Sequence, residues 1–243
     1  MNILEVEGLS VAINDKVVIK EANFSVKKGD VSLIIGPNGS GKTSLIQAIL
    51  GNPKYKIISG RIIFEGRDIT NLDMVSRVNM GLSAAFQFPP KLKGVTLSKL
   101  ANEILKRRNV ENPERITYKL AAQLNLIEML DRDLNVGFSG GEMRRAELFL
   151  TLLQQPKLAL LDEIDSGVDV ENVALMARVL NRYISNYGMS LLLVTHSAAI
   201  ARYLKFNRTY VVIDGVVKEA GNPDEILEKV REHGFYDFVS GIR

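Results

Sequence analysis

The sequence predicts an α/β fold: a parallel sheet, a small antiparallel β layer beside it, and a helical lobe inserted into the core. Three observations predict this. Val31-Ser-Leu-Ile-Ile35, Lys157-Leu-Ala-Leu-Leu-Asp162 and Ser190-Leu-Leu-Leu-Val-Thr195 are nearly unbroken apolar runs, the pattern of strands covered on both faces. The first thirty residues alternate in short β-like runs. Between Gly94 and Gly137 there is no glycine, and apolar residues recur at helical spacing.

The elements follow in order. Leu4 to Val11, Val17-Val-Ile19 and Phe24-Ser-Val26 read as β segments, separated by the turn-formers Asn14-Asp15 and Lys28-Gly-Asp30. After the strand Val31–Ile35, the stretch Thr43 to Leu50 reads as a helix, and Gly60-Arg-Ile-Ile-Phe-Glu-Gly66 as a strand between glycines. In the glycine-free block, Leu97, Leu100, Ile104 and Leu105 mark one helical face, and Leu120, Leu124 and Ile127 another. Glu111-Asn-Pro113 breaks the two helices apart. A helix from Ser139 to about Leu153, the strand ending at Asp162, a helix from Val173 to Tyr187 and the strand 190–195 restore the α/β pattern. Tyr210 to Ile213 and Val216-Val217, joined by Asp214-Gly215, read as a closing hairpin before a last helix from about Pro223. The reading is one domain: residues 1–85 and 138–243 form the core with its β subdomain, and 86–137 the helical lobe.

Composition narrows the function classes. Charged residues make up 24% and hydrophobic ones 46%, ordinary for a soluble globular protein. The net charge of +3 comes from scattered lysines and arginines, so no nucleic-acid partner is expected. No apolar run approaches the roughly 18 residues of a membrane span, and the chain start lacks a basic signal-peptide pattern; a cytoplasmic protein without direct membrane insertion is expected. There is no cysteine, which excludes a disulfide framework and any thiolate ligand from this chain.

The chemistry starts at Gly36-Pro37-Asn38-Gly39-Ser40-Gly41-Lys42-Thr43, followed by Ser44. The pattern G-x-x-x-x-G-K-[ST] describes a loop whose backbone N–H groups wrap a polyphosphate. Its glycines let the backbone approach where a Cβ would collide, Lys42 supplies a point charge for the outer phosphates, and the Thr43 hydroxyl can ligate Mg²⁺. Its setting between a strand and a helix adds the helix N-terminus, so a nucleoside triphosphate is the expected ligand. Asp162 and Glu163 follow four apolar residues at a strand end, where ligands sit in open α/β sheets; Asp162 can help hold Mg²⁺ and Glu163 can poise a water. Ser139 with Glu142 three residues on is a capping box, and Gly140-Gly141 leave that helix start bare for an anion.

The phosphate loop, Gln87, Ser139-Gly-Gly-Glu142, Asp162-Glu163, Asp165-Ser-Gly-Val-Asp169 and His196 follow one another in the order and approximate spacing of the ATP-binding-cassette (ABC) ATPases. The resemblance covers essentially the whole chain. It implies a two-lobe P-loop domain that forms a head-to-tail homodimer around two ATPs. Each nucleotide then lies between one copy's phosphate loop and the other's Ser139, Gly140 and Gly141. It also implies that Gln87 links the lobes and senses Mg²⁺ and the water, that Glu163 is the general base, that His196 is the switch histidine, and that Asp169 communicates across the dimer.

Transporter subunits usually read E-P-T-S-G-L-D from the catalytic base, whereas this chain has Glu163-Ile-Asp-Ser-Gly-Val-Asp169. Together with Phe138-Ser-Gly-Gly-Glu-Met-Arg-Arg-Ala-Glu147, Ala84-Ala-Phe-Gln-Phe-Pro89 and Glu232-His-Gly-Phe-Tyr236, that wording resembles SufC, the soluble ATPase of iron–sulfur cluster assembly. Two features differ: Pro89 to Val136 is shorter than in many SufC chains, and Thr195-His-Ser-Ala198 lacks the aromatic that often follows the histidine. Ile13 stands where many transporter subunits carry an aromatic that stacks on adenine. The resemblance implies a SufB/SufD-like scaffold as partner, docked near Phe86, Phe88, Pro89, Pro90, Leu92 and Val95. The alternatives are the nucleotide-binding subunit of a membrane transporter and a soluble ABC protein acting on ribosomes or DNA.

Overall fold

The computed structural model describes residues 1–87, 89–195 and 199–223, with 225, 226, 228, 229 and 232. The chain opens with β1 (Asn2–Ile13) and β2 (Lys16–Lys27), an antiparallel pair with Ile13 opposite Lys16. Asn14 and Asp15 both take left-handed backbone, φ 46° and 62°, which matches a two-residue hairpin turn to the twist of its strands. Register shifts between Val6 and Ala12 interrupt the alternation, which is why two long strands read as shorter runs in the sequence. Then come β3 (Val31–Ile35), α1 (Lys42–Leu50), β4 (Lys56–Phe64), β5 (Arg67–Asp68), α2 (Met74–Met80) and β6 (Leu82–Ala85). Neither α2 nor β6 stands out in the sequence, because seven and four residues carry too little periodicity.

In the lobe, β7 (Leu92–Thr96) pairs with β8 (Asp133–Leu134) around α3 (Leu97–Arg107), α4 (Pro113–Gln123) and a 3-10 turn at Ile127–Met129. The core resumes with α5 (Gly140–Leu153), β9 (Leu158–Asp162), α6 (Val170–Tyr187), β10 (Ser190–Val194), β11 (Arg208–Ile213) and β12 (Val216–Glu219). Helical backbone at 223, 225 and 226 agrees with a last helix starting near Pro223.

Ten strands form one sheet in the order β5-β4-β1-β2-β12-β11-β3-β10-β9-β6. The antiparallel arm is therefore continuous with the parallel core, not a layer set beside it. The joint is β12, antiparallel to β11 and parallel to β2. The sheet curls around α1, which touches β1, β2 and β4 on one arm and β6 and β9 on the other. Alternate strand residues feed two cores. Leu33, Leu161 and Leu193 pack with the lobe residues Leu97, Leu105 and Leu120 and with α5 and α6. Ile34, Leu160 and Leu192 pack with α1 and the β1–β2 arm.

One buried cation ties α2 to α1. Arg77 is 2% exposed and donates to the carbonyls of Ala48 (2.8 Å), Ile49 (2.7 Å), Thr70 (2.8 Å) and Leu72 (2.9 Å). These include the Ile49 carbonyl, near the end of α1, where the last carbonyls lack helical partners. Burial pulls its guanidinium down to about 10, against the pull of Asp68 and Asp73. Arg77→Met should cost about 2–4 kcal/mol, because four acceptors lose their donor in a dry site. Urea unfolding measures this; a loss under about 1 kcal/mol would mean that water replaces the guanidinium.

Candidate active site

The parallel register gathers the predicted residues at one sheet edge. Ile34 lies opposite Val194 and Tyr210, Asp162 opposite Val194, and Ala85 opposite Leu161. The strands β3, β9, β10 and β6 thus end together, and their next residues are the phosphate loop, Glu163, Thr195 and the Phe86-Gln87 segment. A cavity of about 610 Å³ opens there, lined by Asn38 to Ser44, Gln87 and Glu163, with Lys16, Val17, Val18, Lys20, Asp214 and Gly215 closing its other side.

The loop is shaped for close approach of backbone. Gly39 and Gly41 have φ of 78° and 109°. A Cβ on Gly36 would stand 2.5 Å from the Val212 carbonyl oxygen, and one on Gly41 2.9 Å from that of Val18. Gly41 caps α1 without a side-chain bond, leaving the first N–H groups of the helix facing the cavity edge. Lys42 is 5% exposed, and its ammonium donates to the carbonyls of Gly36 (2.8 Å) and Pro37 (2.9 Å). Burial lowers its pKa, and Glu163 and Asp162 oppose the drop. The Ser40 hydroxyl is buried with no partner among the described residues.

Asp162 is also an orphan. Both of its carboxylate oxygens are buried without a formed hydrogen bond. Burial raises its pKa most; the Thr43 hydroxyl draws it partly back and Glu163 adds to the rise. A hard carboxylate beside a hydroxyl suits Mg²⁺, which prefers few protein oxygens and completes its shell with phosphate and water. The described residues hold no cluster of three or more His, Cys, Asp or Glu side chains that would form a self-sufficient metal cage. The Thr43 hydroxyl and the Asp162 carboxylate fit such an ion and could hold it, with Gln87 alongside.

Glu163 is 7% exposed and takes left-handed backbone, φ 52°, an unfavourable conformation for a residue with a Cβ. Its N–H bonds the Val194 carbonyl at 2.9 Å, and its carboxylate accepts from the Gln87 amide at 2.5 Å. The Gln87 carbonyl in turn accepts from Arg144 on α5. A water seated between Glu163 and the loop would meet a proton acceptor already oriented by an amide, the arrangement for attack on a terminal phosphate.

The ABC transporter family model matches residues 19–166, more than half of the chain. The chain belongs to the ABC ATPases. It is 34% identical to a probable ATP-dependent transporter of Trieres chinensis, over 98% of this chain and 97% of that one. It is 33% identical to a probable ABC transporter ATP-binding protein of Streptococcus pyogenes, covering 91% and 90%, and 32% identical to vegetative protein 296 of Bacillus subtilis, covering 97% and 92%. Among solved structures, a nucleotide-free ATP-binding cassette from an ABC transporter superposes with a TM-score of 0.80 at 26% identity, covering 98% and 99%.

The remaining expected residues of this ATPase lie elsewhere or differ. Ser139 forms the expected capping box, donating its N–H to Glu142 (2.7 Å) and accepting from the Glu142 N–H (3.3 Å). Ser139 and Gly140 are exposed and Gly141 is half-buried, and none of the three lines the cavity. Asp169 caps α6, accepting from the Asn172 N–H at 2.9 Å. His196 and Phe88 lie outside the described residues, as does His233 to Tyr236. Ile13 is not part of the cavity wall; Lys16, Val17 and Val18 of β2 stand there instead. The reason is sheet order, since β1 lies one strand farther from β12 and the loop than β2 does. Sequence reasoning missed Arg144 and Glu147, whose places depend on α5 packing beneath Gln87. Burial pushes the Glu147 carboxyl up to about 7, against the Phe86 N–H and Arg144.

Gly41→Ala tests the loop geometry. The residue would need positive φ and would press on Ile19 and the Val18 carbonyl, so ATP affinity should fall at least about tenfold, roughly 1.4 kcal/mol. Calorimetric titration checks this, and unchanged affinity would mean that the loop relaxes freely.

Proposed function

We propose that this ATPase hydrolyses ATP with Mg²⁺ in a head-to-tail homodimer and drives shape changes in a soluble SufB/SufD-like scaffold during iron–sulfur cluster assembly in the cytosol. In this reading Lys42 and the loop amides of residues 36–44 hold the phosphates, and Thr43, Asp162 and Gln87 face the metal. When bound, Mg²⁺ neutralises charge developing on the β- and γ-oxygens. Glu163 takes the proton of the attacking water, with Gln87 fixing the carboxylate. The resemblance assigns His196 to the γ-phosphate. Ser139, Gly140 and Gly141 close the site of a second copy, which suits their exposure at the start of α5.

The observation that carries the scaffold reading is Asp165. In place of the threonine usual in transporter subunits, it is 3% exposed and accepts from the Thr195 hydroxyl at 2.9 and 3.1 Å and from the Ile200 N–H at 3.4 Å. The Ile164-Asp165 wording thus has a structural use: a buried carboxylate ties the turn after Glu163 to the residue before His196. Having no cysteine, the chain acts on the scaffold and not as a thiolate ligand of the cluster. A cleft of about 340 Å³ beside Gln87 is lined by Gln47, Asn52, Met74 and Phe86 together with Thr43 and Asp162, which suits the metal side of the site. On the segment where the resemblance docks a partner, Leu92 is 37% exposed and Pro90 is exposed.

The names of the relatives favour a second reading, the nucleotide-binding subunit of a membrane transporter. Among the described residues no helix is long and apolar enough to cross a membrane, so such a subunit would dock on separate membrane helices through the same exposed segment.

Glu163→Gln should bind ATP as the wild type does and lose about 10² to 10⁴ in turnover, accumulating an ATP-bound dimer on gel filtration. Near-normal hydrolysis would move the base elsewhere. Leu92→Asp should weaken partner capture more than basal ATPase activity. A tagged wild type should recover a SufB- or SufD-like protein from its own cytosol, and the variant should lose it; recovery of integral membrane proteins instead establishes the transporter reading.

A further inference from the structure

Three side chains of α5 hold the segment that ends in Gln87. The Thr151 hydroxyl shares its one proton between the Glu147 carbonyl of its own helix at 2.8 Å and the Ala84 carbonyl at 3.1 Å. Burial pushes the Glu147 carboxyl up, and the Phe86 N–H draws it partly back. Arg144 donates from Nη1 to the carbonyls of Phe86 (3.2 Å) and Gln87. Positions 144, 147 and 151 are three and four residues apart, so they form one stripe along the helix.

That stripe takes over where the sheet stops. β6 ends at Ala85, so no strand partner fixes the backbone of Phe86 or Gln87, and Pro89 and Pro90 beyond them have no N–H to donate. The Arg144 guanidinium also lies in the field of Glu163, Glu147, Asp162 and Asp165. A planar, multidonor cation at this point can grip main-chain carbonyls and balance the carboxylates at the same time. The Gln87 amide extends that grip to the chemistry, since the Gln87 side chain donates to Glu163 at 2.5 Å.

We propose that Arg144, supported by Glu147 and Thr151, is a positioning residue for ATP hydrolysis: it sets where the Gln87 amide stands and, through it, how the Glu163 carboxylate is turned toward the water. This rests on the role given above to Gln87 and Glu163, and not on which partner the ATPase serves. Arg144 is not among the residues that line the cavity. Its influence on the rate passes through Gln87.

The test is a double-mutant cycle on the full chain with Mg-ATP as substrate. Arg144→Met should lower kcat roughly ten- to a hundredfold, with KM within about twofold of wild type because the phosphate loop is intact. Arg144→Lys, which keeps the charge and a donor, should recover part of the loss. Gln87→Ala should also lower kcat, and the double variant should be no slower than Gln87→Ala within about twofold. A wild-type kcat for Arg144→Met, or a full additional loss in the Gln87→Ala background, overturns the proposal. An unchanged kcat for Gln87→Ala overturns the role of Gln87 and this proposal together, while loss of nucleotide affinity in Arg144→Met would recast Arg144 as structural. Should Arg144→Met fail to fold, Thr151→Val carries the same cycle: a smaller kcat loss that Gln87→Ala absorbs supports the proposal, and an unchanged or additive one overturns it.

Discussion

The parallel register of β3, β10, β9 and β6 fixes where this molecule can hold charge. Because Val194 lies opposite both Ile34 and Asp162, and Leu161 opposite Ala85, four chain segments leave the sheet at one edge. The loop after β3 brings backbone donors and Lys42; the residues after β9 and β6 bring Glu163 and Gln87. A slip of β9 by one residue against its neighbours would turn Asp162 toward the opposite face. The apolar runs that enforce the register are buried on both sides, so the chemistry depends on packing that contains no chemistry itself.

That edge carries more negative charge than a buried site ordinarily tolerates. Asp162, Glu163 and Asp165 are each under a tenth exposed, and an uncompensated buried charge costs several kcal/mol. Lys42 and Arg144 oppose the cost, and burial still raises the Asp162 and Glu147 carboxyls. A polyphosphate alone would meet carboxylates and be repelled. Brought in with a divalent cation, it completes the balance, with the buried Asp162 carboxylate, beside the Thr43 hydroxyl, and the Ser40 hydroxyl offering oxygens. The electrostatics therefore favour the metal–nucleotide pair over either component, which supports the reading of Thr43 and Asp162 as metal ligands.

Much of this was legible in the sequence. The apolar runs, the glycine loop and the capping box are local signals, and each forms where its residues predict it. Ser139 and Glu142 need only each other, so their spacing suffices. Arg144, Asp165 and Arg77 work through distant partners, and nothing in their neighbourhood announces a carbonyl at 87, a hydroxyl at 195 or a helix end at 49. The wall beside the phosphate loop shows a related limit. A residue near a hairpin turn can be placed along its strand from sequence, but which strand of the pair borders the phosphate loop is decided by β12 joining the sheet beside β2. Likewise the antiparallel arm read as a separate layer, because the pairing of β12 with β2 covers only Val216 and Val217.

Helix α5 gives these separate observations a mechanical connection. Its first residues are exposed and capped only by their own box, while its middle holds the backbone beneath Gln87 through Arg144, Glu147 and Thr151. Its buried face packs in the core shared with the lobe, and Arg145 donates to the carbonyls of Leu124 and Asn125 just past α4, both at 2.9 Å. From Ser139 to Thr151 the span is roughly 18 Å at the α-helical rise of about 1.5 Å per residue, most of a small domain's radius. A body of that stiffness cannot be displaced at its exposed end without moving the carbonyl grip on Gln87. If a second copy closes on Ser139, as we propose, or a partner shifts the lobe through α4, either event would reach the water-orienting pair along the same helix. Coupling would then need no relay of loops, only one rigid element packed against both the lobe and the site.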